Sequence, residues 1–223
     1  MRIRAFMAGL ATVTVLTGCG GLEAQSTGGG KTSKPDSASV SDARKKLAKL
    51  EVKGRAPKTG FDRDEFGPSW ADVDRNGCDT RNDILKRDME NEKFKSGTHD
   101  CIVLSGTLHD PYSGKTIKFE RGQDTSMDVQ IDHLIPLSDA WQKGAQRWTA
   151  TKRKEFANDP LNLLAVDGPL NGQKSDSDAA TWLPPRKAYR CAYIARQVDV
   201  KAKYEVWVTS AEKDAMETIL RGC

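Results

Sequence analysis

Within VQIDHLIPL (129–137), a carboxylate, Asp132, directly precedes an imidazole, His133, in an otherwise apolar run. A carboxylate can hold a cation, and an imidazole, with an ordinary pKa of about 6.5, can take a proton near neutral pH. In a regular strand, consecutive side chains point to opposite faces. Asp132 and His133 can therefore serve one site only if the strand turns, and Pro136 predicts that its regularity ends there. Two readings stay open on these two residues alone: a site that holds a cation and moves a proton, or an acid orienting a half-buried structural histidine. Downstream, Asn162 opens a second apolar stretch, and Asn171 precedes Gly172, Gln173 and Lys174.

Such residues need elements to position them. The spacing predicts a strand over DVQIDHLIP, a helix over LSDAWQKGA ending at Gly144, and a helix over ATKRKEFA capped by Thr149. NLLAVDG (162–168) reads as a short apolar strand, and NGQKSDSDAATWL as a helix that Pro184 and Pro185 break. Upstream, SDARKKLAKL (41–50) has helical spacing. WADVDRNGCDTRNDILKRDME (70–90) sets turn residues before a helix-like run with Ile84, Leu85 and Met89. CIVLSGTLHDPYSGKTIKFERG (101–122) predicts two strands around a Pro-Tyr-Ser-Gly turn. Towards the C-terminus we expect a helix over Lys187–Arg196, a strand over KYEVWVT (203–209), and a last helix to Leu220 behind a Thr209-x-x-Glu212 capping box. The mixture is α+β, and residues 42–223 fit one domain.

The N-terminus reads as an export signal: Arg2 and Arg4, then an apolar stretch from Ala5 to Leu16, then Leu-Thr-Gly-Cys ending at Cys19. Residues 1–19 thus look like a lipoprotein-type signal with Cys19 as acylation site, the alternative being ordinary secretion with Cys19 removed. The expected destination is the cell exterior or envelope, with a lipid anchor on the outer face of a bacterial cytoplasmic membrane. Residues 20–41, rich in Gly, Ser, Thr and Lys, read as a tether. Four cysteines remain, Cys78, Cys101, Cys191 and Cys223, an even number that in an exported chain implies two disulfides. Of three possible connectivities, pairing nearest neighbours gives Cys78 with Cys101 and Cys191 with Cys223.

Composition narrows the chemistry. With no Cys-x-x-Cys, no His-Glu-x-x-His and only 3 histidines, a zinc hydrolase is poorly supplied. The net charge is +4, but between Lys143 and Lys203 twelve Lys or Arg face six acids, which suggests an anionic partner or simply a solvated face. Asp72, Asp74, Asn76, Gly77 and Asp83 have the spacing of a calcium-binding EF-hand loop, although Cys78 sits inside it and no entering helix precedes it. His99 and His109 read as solvent-facing, and Trp141, Trp148 and Trp182 as core anchors.

The order Asp132-His133 on a strand, Asn162, a second strand, then Asn171 and Lys174 on a helix resembles the ββα-metal fold of the HNH endonucleases. The phrases IDHLIPLSDAW, FANDPLNLLAV, NGQKSD, WLPP and DRNGCDTRNDIL are similar to a secreted branch of that superfamily, related to the nuclease part of some modification-dependent restriction enzymes. This resemblance spans about Phe61 to Cys223 and implies a ββα-metal core over about 127–183. It further implies Asp132 and Asn171 as ligands of one divalent cation, Mg²⁺ or alternatively Mn²⁺, since a neutral carboxamide is a hard ligand. His133 would be the general base, Asn162 would bridge loop backbone and hold His133, and Lys174 and Arg81 would contact phosphate. The implied function is an exported, metal-dependent endonuclease acting on DNA as a monomer. The alternative is a non-catalytic envelope lipoprotein that binds nucleic acid or another polyanion.

Overall fold

A computed structural model describes residues 37–223. Cys19, the expected signal and most of the expected tether lie outside the described residues. In chain order the elements are α1 (Ser37–Lys49), α2 (Thr80–Asp88), β1 (Met89–Phe94), β2 (Val103–His109), β3 (Thr116–Glu120), β4 (Val129–His133), α3 (Leu137–Gln142), α4 (Ala150–Asn158), β5 (Leu163–Asp167), α5 (Gly168–Lys174), α6 (Arg190–Tyr204) and α7 (Ser210–Arg221). The chain is a mixed α+β domain.

Two sheets divide the strands. β1, β2 and β3 form an antiparallel sheet with β2 central. β4 and β5 pair antiparallel, with Asp132 opposite Leu164 and His133 opposite Leu163, and α5 follows directly and packs on both. The buried faces explain the arrangement. Ile84, Leu85, Val103, Phe119, Val129 and Leu163 join the two sheets into one apolar cluster under α2. Each such side chain, fully buried, stabilises the fold by roughly 1.5–3 kcal/mol. A second cluster, around Phe66, Trp141 and Phe156, sits beneath α3 and α4, and a third joins α1, α6 and α7.

The turn from β5 into α5 demands glycine. A Cβ at Gly168 would lie 1.9 Å from the carbonyl oxygen of Met127. Asp167 caps the helix by accepting from the Leu170 amide at 2.9 Å. The disulfides are Cys78–Cys101 and Cys191–Cys223, the expected pairing, spanning 23 and 32 residues.

Several elements depart from the sequence reading, each for a local reason. α1 begins at Ser37, inside the expected tether, and Val40 anchors it in the core. Met89 opens a strand instead of ending a helix, and β1 is a charged edge strand with little apolar alternation. α5 stops at Lys174, where Ser175 takes φ 50°, so the expected helix to Pro184 is absent. α6 runs on to Tyr204 and ends at Glu205 with φ 61°; residues 206–208 are buried, and only the parallel Val52–Val208 bridge replaces the expected strand.

A buried ion cluster fastens the segment after α5. Lys143 on α3 lies 2.7 Å from Asp139, 2.9 Å from Asp178 and 2.7 Å from Glu212. Lys201 on α6 meets Glu212 at 2.9 Å, and Arg55 meets Asp139 at 2.8 Å and Asp178 at 2.7 Å. Three cations thus balance three anions. Glu212 is recruited to this cluster, which leaves only half of the expected capping box: Thr209 Oγ1 accepts from the Glu212 amide at 3.2 Å.

Candidate active site around His133

Where β4 ends, Asp132, His133 and Asn171 line one cavity of about 300 Å³, with Lys58, Phe61, Arg63, Ser138 and Asp176 around them. Asp132 and His133 both reach it because β4 ends at His133 and the chain turns into Pro136 and α3. β4 and α5 therefore bring together an acid, an imidazole and a carboxamide that lie about forty positions apart.

His133 Nε2 is 2.8 Å from the carbonyl oxygen of Ala157. A carbonyl can only accept, so Nε2 carries the proton and Nδ1 keeps its lone pair. Burial pushes the imidazole down to about 4; the bond to Ala157 opposes that fall, and the charges of Arg63 and Lys174 add to it. At neutral pH the ring is uncharged and able to accept a proton. Trp70 lies nearly parallel to it, at 15° with ring centroids 6.2 Å apart, and the two line a second, smaller cavity with Arg63.

Asn162 is fully buried behind this histidine. Its Oδ1 accepts from the Ile135 amide at 2.9 Å, and its Nδ2 reaches the carbonyls of Ile135 at 3.4 Å and Phe156 at 3.5 Å. Its own carbonyl accepts from the Leu134 amide at 2.8 Å. The residues so fixed neighbour His133 on one side and its partner Ala157 on the other.

Asp132 is buried and doubly bonded. Lys174 Nζ donates to its Oδ1 at 2.8 Å, and the Tyr112 hydroxyl donates to its Oδ2 at 2.5 Å. Burial, reinforced by the charge of Asp132, raises Tyr112 well above the ordinary phenol value, so it stays a donor. Each Asp132 oxygen retains a lone pair. Asn171 donates from Nδ2 to Gln130 Oε1 at 2.9 Å, and its Oδ1 accepts no hydrogen bond among the described residues.

Two residues expected at phosphate stand elsewhere. Lys174 is fully buried, donating to Asp132 and, at 2.8 Å, to the His133 carbonyl. Arg81 lies 5.9 Å over the Phe119 ring and does not line the cavity. The basic stretch is likewise partly internal, since Lys143, Lys174 and Lys201 are all buried against acids. Asp72, Asp74 and Asp83 gather around Asn76, whose Nδ2 is 3.1 Å from both Asp74 and Asp83. Even so, no group of three or more His, Cys, Asp or Glu is poised to hold a metal among the described residues. Tyr112 and Arg63 gave no signal in the sequence: the first stands in a turn phrase, the second in a short charged run.

The family model for the C-terminal domain of GmrSD restriction endonucleases matches residues 79–219. An "uncharacterized secreted protein" of Arthroderma benhamiae is 36% identical over 220 residues, covering 98% of each chain. No solved structure matches. Among the described residues, no helix is long and apolar enough to cross a membrane. With the matched span running from the cap of α2 through β4, β5 and α5 into α7, the chain belongs to the family of GmrSD restriction endonuclease C-terminal domains.

Proposed function

We propose that this protein is an exported, HNH-type, metal-dependent endonuclease that hydrolyses DNA phosphodiesters, with β4, β5 and α5 as its ββα-metal core. The observation that carries this reading is the state of His133: its Nε2–H is held by Ala157, which leaves Nδ1 with its lone pair, and the residue lines one cavity with Asp132 and Asn171. Membership of a family named for restriction endonucleases supports the reaction class.

Asp132 and Asn171 would hold one hydrated divalent cation. The donor set fits Mg²⁺ or Mn²⁺: one carboxylate with spare lone pairs and one carboxamide oxygen without a hydrogen-bond partner among the described residues are hard ligands, and Mg²⁺ keeps most of its shell as water and phosphate oxygens. When bound, such a cation stabilises charge on the phosphate and the leaving oxygen.

The chain's own residues supply the rest. His133 Nδ1 takes the proton from the attacking water. Asn162 holds the two backbone segments that fix the ring. Tyr112 and Lys174 fix the Asp132 carboxylate from either side. Export accords with the two disulfides and with the relative described as secreted; the lipid anchor would be Cys19.

The test is incubation of the purified protein with plasmid DNA and Mg²⁺ or Mn²⁺, with and without EDTA, beside His133→Ala. Metal-dependent nicking that the variant loses supports the proposal. Intact plasmid that shifts in a gel would instead indicate a non-catalytic polyanion-binding module.

A further inference from the structure

With Lys174 buried and Arg81 over Phe119, a phosphate at the cavity needs another cation. We infer that Arg63, upstream of the residues matched by the family model, is that cation: a binding residue for a backbone phosphate of the nucleic-acid substrate. This rests on the nuclease reading of the same cavity.

Arg63 opens a one-turn 3-10 helix, Arg63–Phe66, that is rigidly mounted. Asp62 caps it by accepting from the Asp64 amide at 2.9 Å, and Phe66 is buried among Phe61, Trp141 and Phe156. Arg153 clamps Glu65 from α4, bonding its carbonyl at 2.7 Å and its carboxylate at 2.8 Å. On this mount Arg63 is exposed and lines both the larger cavity and the smaller one under Trp70.

Its neighbours leave it unpaired. Asp62 is engaged in the cap, Glu65 is taken by Arg153, and Arg63 makes no hydrogen bond or ion pair among the described residues. Lys58, the other exposed cation on the cavity, pairs with Asp176 at 3.2 Å. An unpaired guanidinium beside the general base offers a planar fork of N–H donors, the group that binds phosphate oxygens bidentately.

The test compares wild type, Arg63→Ala and Arg63→Lys, as full chains, for kcat and KM on duplex DNA with Mg²⁺. Binding of fluorescent duplex is measured against NaCl in a His133→Ala background, with and without Arg63→Ala. The expected result is a fall of about ten-fold in kcat/KM for Arg63→Ala at an unchanged thermal midpoint, with partial rescue by lysine. The plot of log affinity against log salt should flatten by about 0.9, the slope of one phosphate contact. A purely structural role would move the midpoint and leave that slope alone. If wild type cuts and Arg63→Ala keeps kcat/KM within about two-fold and an unaltered slope, the inference is overturned and the nuclease reading stands. If wild type leaves DNA intact with either metal, both fall together.

Discussion

The Lys174 ammonium sits 2.8 Å from Asp132 Oδ1 and 2.8 Å from the His133 carbonyl, so one buried cation ties α5 to the last two residues of β4. The pair is self-neutralising in a place where either charge alone would be costly. It also accounts for the burial of a helix lysine three positions after Asn171.

Breaking this pair should cost more than removing it. Lys174→Met leaves a buried carboxylate with Tyr112 as its one remaining donor among the described residues, and should destabilise by about 3–5 kcal/mol. Asp132→Asn combined with Lys174→Met should recover much of that loss, since no uncompensated charge remains. Urea unfolding of both variants and wild type reads the difference. A double variant no more stable than Lys174→Met alone would deny the ion pair its role.

Asn162 should matter for both stability and rate. Asn162→Ala strands the buried Ile135 amide, a loss of about 1–3 kcal/mol, and frees the segments that hold the His133 ring. Asn162→Asp keeps the acceptor but sets a carboxylate oxygen against the carbonyls of Ile135 and Phe156, so it should not rescue. Unfolding midpoints and kcat on plasmid DNA check this. An Asn162→Ala protein with wild-type kcat would separate this residue from the reaction.

That Asp132, His133 and Asn171 belong together was legible from side-chain type and order, and the fold brings all three to one cavity. β4, β5 and α3 follow from apolar runs punctuated by Pro136 and Gly144, and the disulfide pairing follows from proximity in sequence. What the sequence hid was the fate of charges. Lys174 reads as a contact for substrate phosphate, yet the fold buries it against Asp132, forty-two positions away. The helix expected to reach Pro184 ends early because Asp178 is drawn to Lys143 and Arg55, partners that no local pattern announces. β1 stayed hidden because an edge strand needs little apolar alternation.

The β5-to-α5 turn should tolerate no side chain. Gly168→Ala would place its Cβ against the Met127 carbonyl, backbone that cannot swing aside, and should cost about 1–3 kcal/mol with a matching loss of activity as α5 shifts. Gly172→Ala, on the same helix with nothing within 4 Å of its Cβ, should instead be neutral or stabilise by up to about 1 kcal/mol. Thermal midpoints of the two variants decide. Equal effects would mean that helix propensity, not the close approach, governs α5.

Acid stability should follow Asp178. Burial alone would raise its carboxyl, but the charges and hydrogen bonds of Lys143 and Arg55 outweigh that and hold it at about 2, below its ordinary 3.8. A folded-state pKa below the unfolded one gives stability that is complete above about pH 4 and lost as pH falls through 2, here about 2 kcal/mol. In Lys143→Met the balance of three cations and three anions is broken, and buried carboxylates of Asp139, Asp178 and Glu212 outnumber their partners. With Lys143 gone, burial pushes the Asp178 carboxyl up and the sign reverses. Lys143→Met should be weaker than wild type by about 3–5 kcal/mol at pH 7, and the gap between the two should narrow as pH drops to 5, a comparison in which the His133 contribution common to both cancels. Urea midpoints at pH 7, 5 and 3 for both proteins measure it. Parallel pH profiles would show that Lys143 does not set the charge state of this cluster.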